Sequence, residues 1–105
     1  MNEYYKLNKD HVAVPCTVIE FEETLRDCDG RRVALDEGDG VSVSTVFLGL
    51  DHSWGDGPPM LFETMIFGGE HDEDQWRYST WGEAVAGHKV ACKIAGINAT
   101  PSEAS

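Results

Sequence analysis

Two apolar stretches, Val41 to Leu50 and Met60 to Phe67, do most to constrain what this chain can fold into. Each has the length of a β-strand and is far too short to cross a membrane as a helix. The first opens with period-two alternation, Val41, Val43 and Thr45 against Ser42 and Ser44, and so reads as a strand. Its second half, Val46-Phe47-Leu48-Gly49-Leu50, does not alternate, which predicts a central strand covered on both faces at its far end. The second stretch is broken only by Glu63 and Thr64 and is expected to pair antiparallel with the first. A sheet centred on these two strands follows.

The flanking segments supply further elements. Tyr4 to Leu7 and Val12-Ala13-Val14, separated by the turn residues Asn8-Lys9-Asp10, predict a first hairpin that Pro15 stops. Thr17-x-x-Glu20 matches a capping box, in which hydroxyl and carboxylate each satisfy a backbone N–H, and predicts a helix over 17–26 that ends at Asp27-Cys28-Asp29-Gly30. Arg31 to Asp36 reads as a strand turning into Val41 through Glu37-Gly38-Asp39-Gly40. A second box, Thr80-x-x-Glu83, precedes Trp81, Ala84, Val85, His88, Cys92 and Ala95 at spacings of three and four, which predicts an amphipathic helix over 81–95. The expected fold is α+β: a small antiparallel sheet of about four to five strands packed against two helices. Residues 1–95 form one domain, and the small, polar residues 96–105 form a flexible tail.

Leu, Ile, Val and Phe make up 23 of the 105 residues, enough for one modest core. The N-terminus lacks the basic start and apolar run of a signal peptide, and the three cysteines, Cys16, Cys28 and Cys92, form no paired framework. A soluble protein of a reducing, cytoplasmic compartment is expected, in which the sequon Asn98-Ala99-Thr100 has no use. Nineteen acidic against eight basic residues give a net charge of -11, which repels phosphate backbones and anionic membranes. The charge favours a basic partner. The acids also cluster, at Glu20, Glu22, Glu23, Asp27 and Asp29, at Asp36, Glu37 and Asp39, and at Glu70, Asp72, Glu73 and Asp74.

Two loops stand out as candidate sites. Asp51 to Pro59 joins the central strands with more residues than a hairpin needs, and its glycines and prolines either hold Trp54 outward as an interface anchor, with Asp56 beside it, or fold Trp54 back as a plug over the core. Gly68 to Arg77 carries Glu70, Asp72, Glu73 and Asp74 next to Trp76 and Tyr78, a combination suited to Arg and Lys side chains. The calcium-loop pattern Asp-x-Asp-x-Asp-Gly is absent there. None of His11, His52, His71 and His88 has a histidine partner at structural-zinc spacing; the alternative metal reading rests on Asp51, His52 and His71 converging. His88, on the apolar helix stripe, is expected to be a half-buried packing residue, and Cys92 a small hydrophobe. No nucleophile elbow, phosphate loop or zincin motif is present, and Asp51-His52-Ser53 are neighbours whose side chains diverge, so no enzyme and no cofactor are expected.

The segments Ser44-Thr45-Val46-Phe47-Leu48-Gly49-Leu50-Asp51-His52, Gly57-Pro58-Pro59-Met60-Leu61-Phe62-Glu63-Thr64-Met65, Phe67-Gly68-Gly69, Arg77-Tyr78-Ser79-Thr80-Trp81 and Ala86-Gly87-His88 form a combined pattern over residues 41 to 92. In that pattern the chain resembles a group of small uncharacterised proteins encoded by bacteriophages, prophages and some bacteria. The group carries no established activity, so the resemblance implies a setting: phage or mobile DNA in a bacterial cell. Small acidic phage proteins without catalytic motifs often look like inhibitors of host defence, anti-CRISPR proteins among them. The expectation is a binding protein that docks on a basic protein or ribonucleoprotein complex of the host, the alternatives being a metal- or small-ligand-binding accessory protein built around Asp51, His52 and His71, or a structural accessory component of the virion.

Overall fold

A computed structural model describes residues 4–50 and 57–99. The elements, in chain order, are β1 (Tyr5–Leu7), β2 (Ala13–Pro15), α1 (Val18–Arg26), the single turn α2 (Cys28–Arg31), β3 (Arg32–Gly38), β4 (Val41–Phe47), β5 (Phe62–Phe67), β6 (Gln75–Tyr78) and α3 (Trp81–Ala95). The α+β architecture expected from the sequence is present. Its strands divide into two antiparallel sheets, a β1-β2 hairpin and a four-stranded β3-β4-β5-β6 meander. No helix among the described residues is long and apolar enough to cross a membrane.

Both capping boxes form. The Thr17 hydroxyl accepts from Glu20 N–H while the Glu20 carboxylate accepts from Thr17 N–H, and Thr80 and Glu83 repeat the arrangement at the start of α3. Gly96 ends α3 in the left-handed conformation, its N–H reaching back to the Lys93 carbonyl. The β3-β4 hairpin closes through Asp39 and Gly40, both with positive φ (52° and 79°), as a two-residue turn of that kind demands.

Three departures from the sequence reading have physical causes. β4 keeps its alternation and stops at Phe47, so Val46 to Leu50 is not a strand end covered on both faces: Leu48 N–H bonds Leu61 O at 2.6 Å, and Gly49 (φ 77°) swings the chain to the small sheet, where its carbonyl accepts from Tyr5 N–H. The second acidic loop ends at Asp74, because Gln75-Trp76-Arg77-Tyr78 alternates polar with aromatic and pairs with β5 as an edge strand. The flexible tail does not begin at Gly96: Ile97 N–H bonds Cys92 O, and Ile97 and Ala99 pack on the core.

One sheet face lies under α3 and is organised in rows by the register. Asp36, Val43 and Ile66 form one row, Ala34, Thr45, Thr64 and Trp76 the next, and Phe47, Phe62 and Tyr78 the third. Along α3, Ala91 and Cys92 join Val43 and Ile66 in one apolar cluster, and Ala84 joins Phe47, Leu61 and Phe62 in another. Between them the two inward threonines are both fully buried. A polar layer thus divides the core.

Candidate functional site

The meander puts the β3-β4 turn and the β5-β6 loop at the same end of the sheet, so two acidic blocks far apart in sequence become neighbours. Gly68 lies directly against the Gly40 carbonyl. The loop is built rather than loose. Gly68 N–H donates to Asp72 Oδ1 at 2.6 Å, Glu73 N–H to Ile66 O at 2.7 Å and Ile66 N–H to Asp74 O at 3.0 Å, while His71 Nδ1 meets Asp74 Oδ2 at 3.1 Å. Asp72 and Asp74 therefore shape the turn. Glu70 and Glu73, like Glu37 and Asp39, point outward from exposed positions. A concavity of about 240 Å³ opens beside them, floored by Val41, Ile66, Ile94 and Ala95 and edged by Glu70 and His71. The end of α3 borders it at Gly96, where carbonyl partial charges add to the negative potential; the basic Lys93 belongs to the same last turn.

The other sequence candidates are placed differently. Trp76 sits on β6, half-buried against the Val43 cluster, so the core holds it and no loop presents it. Trp54, Asp56, Asp51 and His52 lie outside the described residues, and His71, the remaining member of the alternative metal set, is paired with Asp74. Asp36, counted with the surface acids, is buried at 7% exposure.

Asp36 belongs to a hydrogen-bonded chain that runs through the core. His88 is 2% exposed, not half-buried as expected, because its ring fills the layer between the apolar clusters. Its Nε2 meets Asp36 Oδ2 at 2.8 Å and its Nδ1 meets Thr45 Oγ1 at 2.7 Å. Thr45 Oγ1 lies 2.5 Å from Thr64 Oγ1, which in turn bonds the Tyr78 hydroxyl. One consistent polarity runs Tyr78 to Thr64 to Thr45 to His88 Nδ1, with Nε2–H donating to the Asp36 carboxylate. Burial raises the Tyr78 phenol, and the Thr64 hydroxyl, which can turn to donate to the phenolate oxygen, offsets part of that rise. Gly87 makes room for the Tyr78 ring under α3, since a Cβ there would overlap its hydroxyl and ring atoms.

Cys92, one helical turn after His88, brings Sγ to 3.9 Å from Asp36 Oδ2. Burial first, and then the Asp36 charge and hydrogen bond, push its thiol up to about 11. The neutral thiol thus contributes stability that is complete below the unfolded thiol pKa of roughly 8.5 and is lost as pH rises toward the folded value. Between neutral pH and about pH 10.5, the wild-type chain is expected to lose roughly 1–2 kcal/mol relative to Cys92→Val, measured by urea unfolding. Parallel profiles would place the thiol in a less demanding environment.

Asp, His and Thr at these distances have the residue types of a nucleophilic triad, but Thr45 is fully buried, so its hydroxyl is not presented to a substrate at the surface. The sequence held two hints of this cluster, the four-residue step from His88 to Cys92 on a helix and a pair of threonines facing the core. Its third member lies 52 residues from His88, on the β3 edge strand. No family model, no curated protein and no solved structure matches the chain.

Proposed function

We propose that this chain is a small acidic docking protein of phage type, which binds a basic nucleic-acid-handling complex of a bacterial host through the acidic end of its four-stranded sheet and inhibits it in the manner of an anti-CRISPR protein. The observation that carries the reading is the convergence of Glu37, Asp39, Glu70 and Glu73 on one end, from two turns that the sheet topology makes neighbours. A channel built for nucleic acid presents Lys and Arg, and clustered carboxylates compete for those cations. The concavity suits one such side chain, with Val41, Ile94 and Ala95 against its aliphatic stem and Glu70 near its charged head.

The backbone bonds that hold the β5-β6 loop reduce the ordering needed on binding. Neither Glu70 nor Glu73 uses its carboxylate in the bonds that shape the turn, so both can be reversed without dismantling it. The test is titration of the purified chain into the cleavage reaction of an RNA-guided nuclease effector from the bacterial host. Inhibition is expected, weakening as salt is raised, with Glu70→Lys/Glu73→Lys raising the half-inhibitory concentration at least about tenfold, equivalent to roughly 1.4 kcal/mol. Unimpaired cleavage at saturating chain, or equal inhibition by the variant, would reject the reading.

A further inference from the structure

We propose that Asp36, His88 and Cys92 form a binding site for a divalent transition-metal ion of the zinc class. One oxygen, one nitrogen and one sulfur donor lie within 4.8 Å of one another, and all three residues are buried. Ligands held 2.0–2.3 Å from a tetrahedral ion stand roughly 3.3–3.7 Å apart. Two of the three pairs, 2.8 Å for His88 Nε2 to Asp36 Oδ2 and 3.9 Å for Cys92 Sγ to Asp36 Oδ2, bracket that range and need adjustments of about half an ångström or less, and the third, His88 to Cys92, lies within 4.8 Å and closes by at most about an ångström. The mixed donor set suits an ion of borderline softness and not calcium or magnesium, which take oxygen alone.

Charge points the same way. A thiol facing a carboxylate in an apolar core is poorly placed, and its separation of 3.9 Å from that carboxylate makes a weak hydrogen bond. A dication bound by one carboxylate, one thiolate and one neutral imidazole gives a site with no net charge, the arrangement a buried position tolerates. On binding, the Cys92 S–H bond breaks, its proton goes to solvent and the sulfur electron pair forms the bond to the metal. The imidazole proton shifts from Nε2 to Nδ1 by exchange with solvent, freeing Nε2 to ligate. Nδ1–H then donates to Thr45 Oγ1, and Thr45 donates to Thr64, so the hydroxyl chain reverses its polarity and becomes the support that orients the histidine. Three protein ligands leave a coordination position for water or another small ligand. None of this depends on the docking surface.

Cobalt(II) is the probe. The metal-free full-length chain is expected to bind one equivalent at micromolar concentration with the intense visible bands of tetrahedral cobalt and a near-ultraviolet thiolate-to-cobalt band, both displaced by zinc. The thiolate band should survive Cys16→Ser and vanish in Cys92→Val, a substitution suited to the apolar cluster around that position. Melting of the wild-type chain gives a readout that needs no variant: zinc raises the transition and a chelator returns it. A folded chain without the cobalt bands, a thiolate band that persists in Cys92→Val, or a transition unmoved by excess zinc would each overturn the proposal.

Discussion

Replacing His88 with alanine is expected to remove about 3–5 kcal/mol of stability, a large part of the roughly 5–15 kcal/mol available to a domain of this size. The substitution deletes more than an imidazole. It leaves the Asp36 carboxylate and the Thr45 hydroxyl each without the ring partner they hold at 2.8 and 2.7 Å, at positions 7% and 0% exposed. It also opens a void between the two apolar clusters. Asp36→Asn provides the contrast. An amide can donate to Nε2, the ring proton then moves to Nδ1, and each hydroxyl turns to donate the other way, so the expected loss is only about 1–2 kcal/mol. Thermal and urea unfolding in the presence of chelator measure both. A His88→Ala chain within 1 kcal/mol of wild type would mean that the buried row relaxes around water and does not tie α3 to the sheet.

The second large effect belongs to Gly68, where φ is 89° and an added Cβ would overlap the carbonyl oxygen of Gly40. An alanine meets two penalties there: the left-handed backbone, about 1–2 kcal/mol, and a clash with main chain that cannot rotate away. The expected total is about 2–4 kcal/mol. The functional consequence is separate from the thermodynamic one. Relief of the clash must push the β5-β6 loop from the β3-β4 turn and separate Glu70 and Glu73 from Glu37 and Asp39 without altering any charge, so inhibition should weaken in chains that remain folded. Gly82→Ala serves as the control, since nothing lies within 4 Å of its added Cβ and its backbone is helical. Gly82→Ala should be neutral or stabilising by up to about 1 kcal/mol. Equal stabilities for the two variants would contradict the packing described for the acidic end.

Much of the fold is legible in local chemistry. Thr17 with Glu20 and Thr80 with Glu83 announce both long helices, Asp39-Gly40 marks the hairpin, and the apolar runs around Val43 and Ile66 give the central strand pair. β6 was obscured because its two inward aromatics, Trp76 and Tyr78, follow directly on a block of acids whose charge reads as loop. The β1-β2 hairpin was legible in its two short runs and the turn residues between them, but its separation into a sheet of its own was not, because Gly49 diverts the chain within a run that composition alone extends as a strand.

The buried chain was harder to read. Thr45 and Thr64 are ordinary strand formers by propensity, and only the register that sets them opposite each other beneath His88 gives their hydroxyls a role. Asp36 appeared as one surface acid among nineteen, since nothing local distinguishes a carboxylate that tertiary packing turns inward. The acidic end was half legible: the clusters are plain in the sequence, whereas their adjacency comes from the meander.

Position, more than net charge, is the central claim, and two double substitutions separate the two. Glu70→Lys/Glu73→Lys and Glu22→Lys/Glu23→Lys change the net charge equally, the first at the sheet end and the second on the exposed surface of α1. The half-inhibitory concentration of each against the same nuclease reaction, measured across a salt series, is the deciding quantity. The sheet-end variant should require at least about tenfold more protein and lose most of its salt dependence, while the α1 variant stays within about threefold of wild type. Equal losses for both would show that overall charge alone attracts the partner, and the docking surface described above would have to be given up.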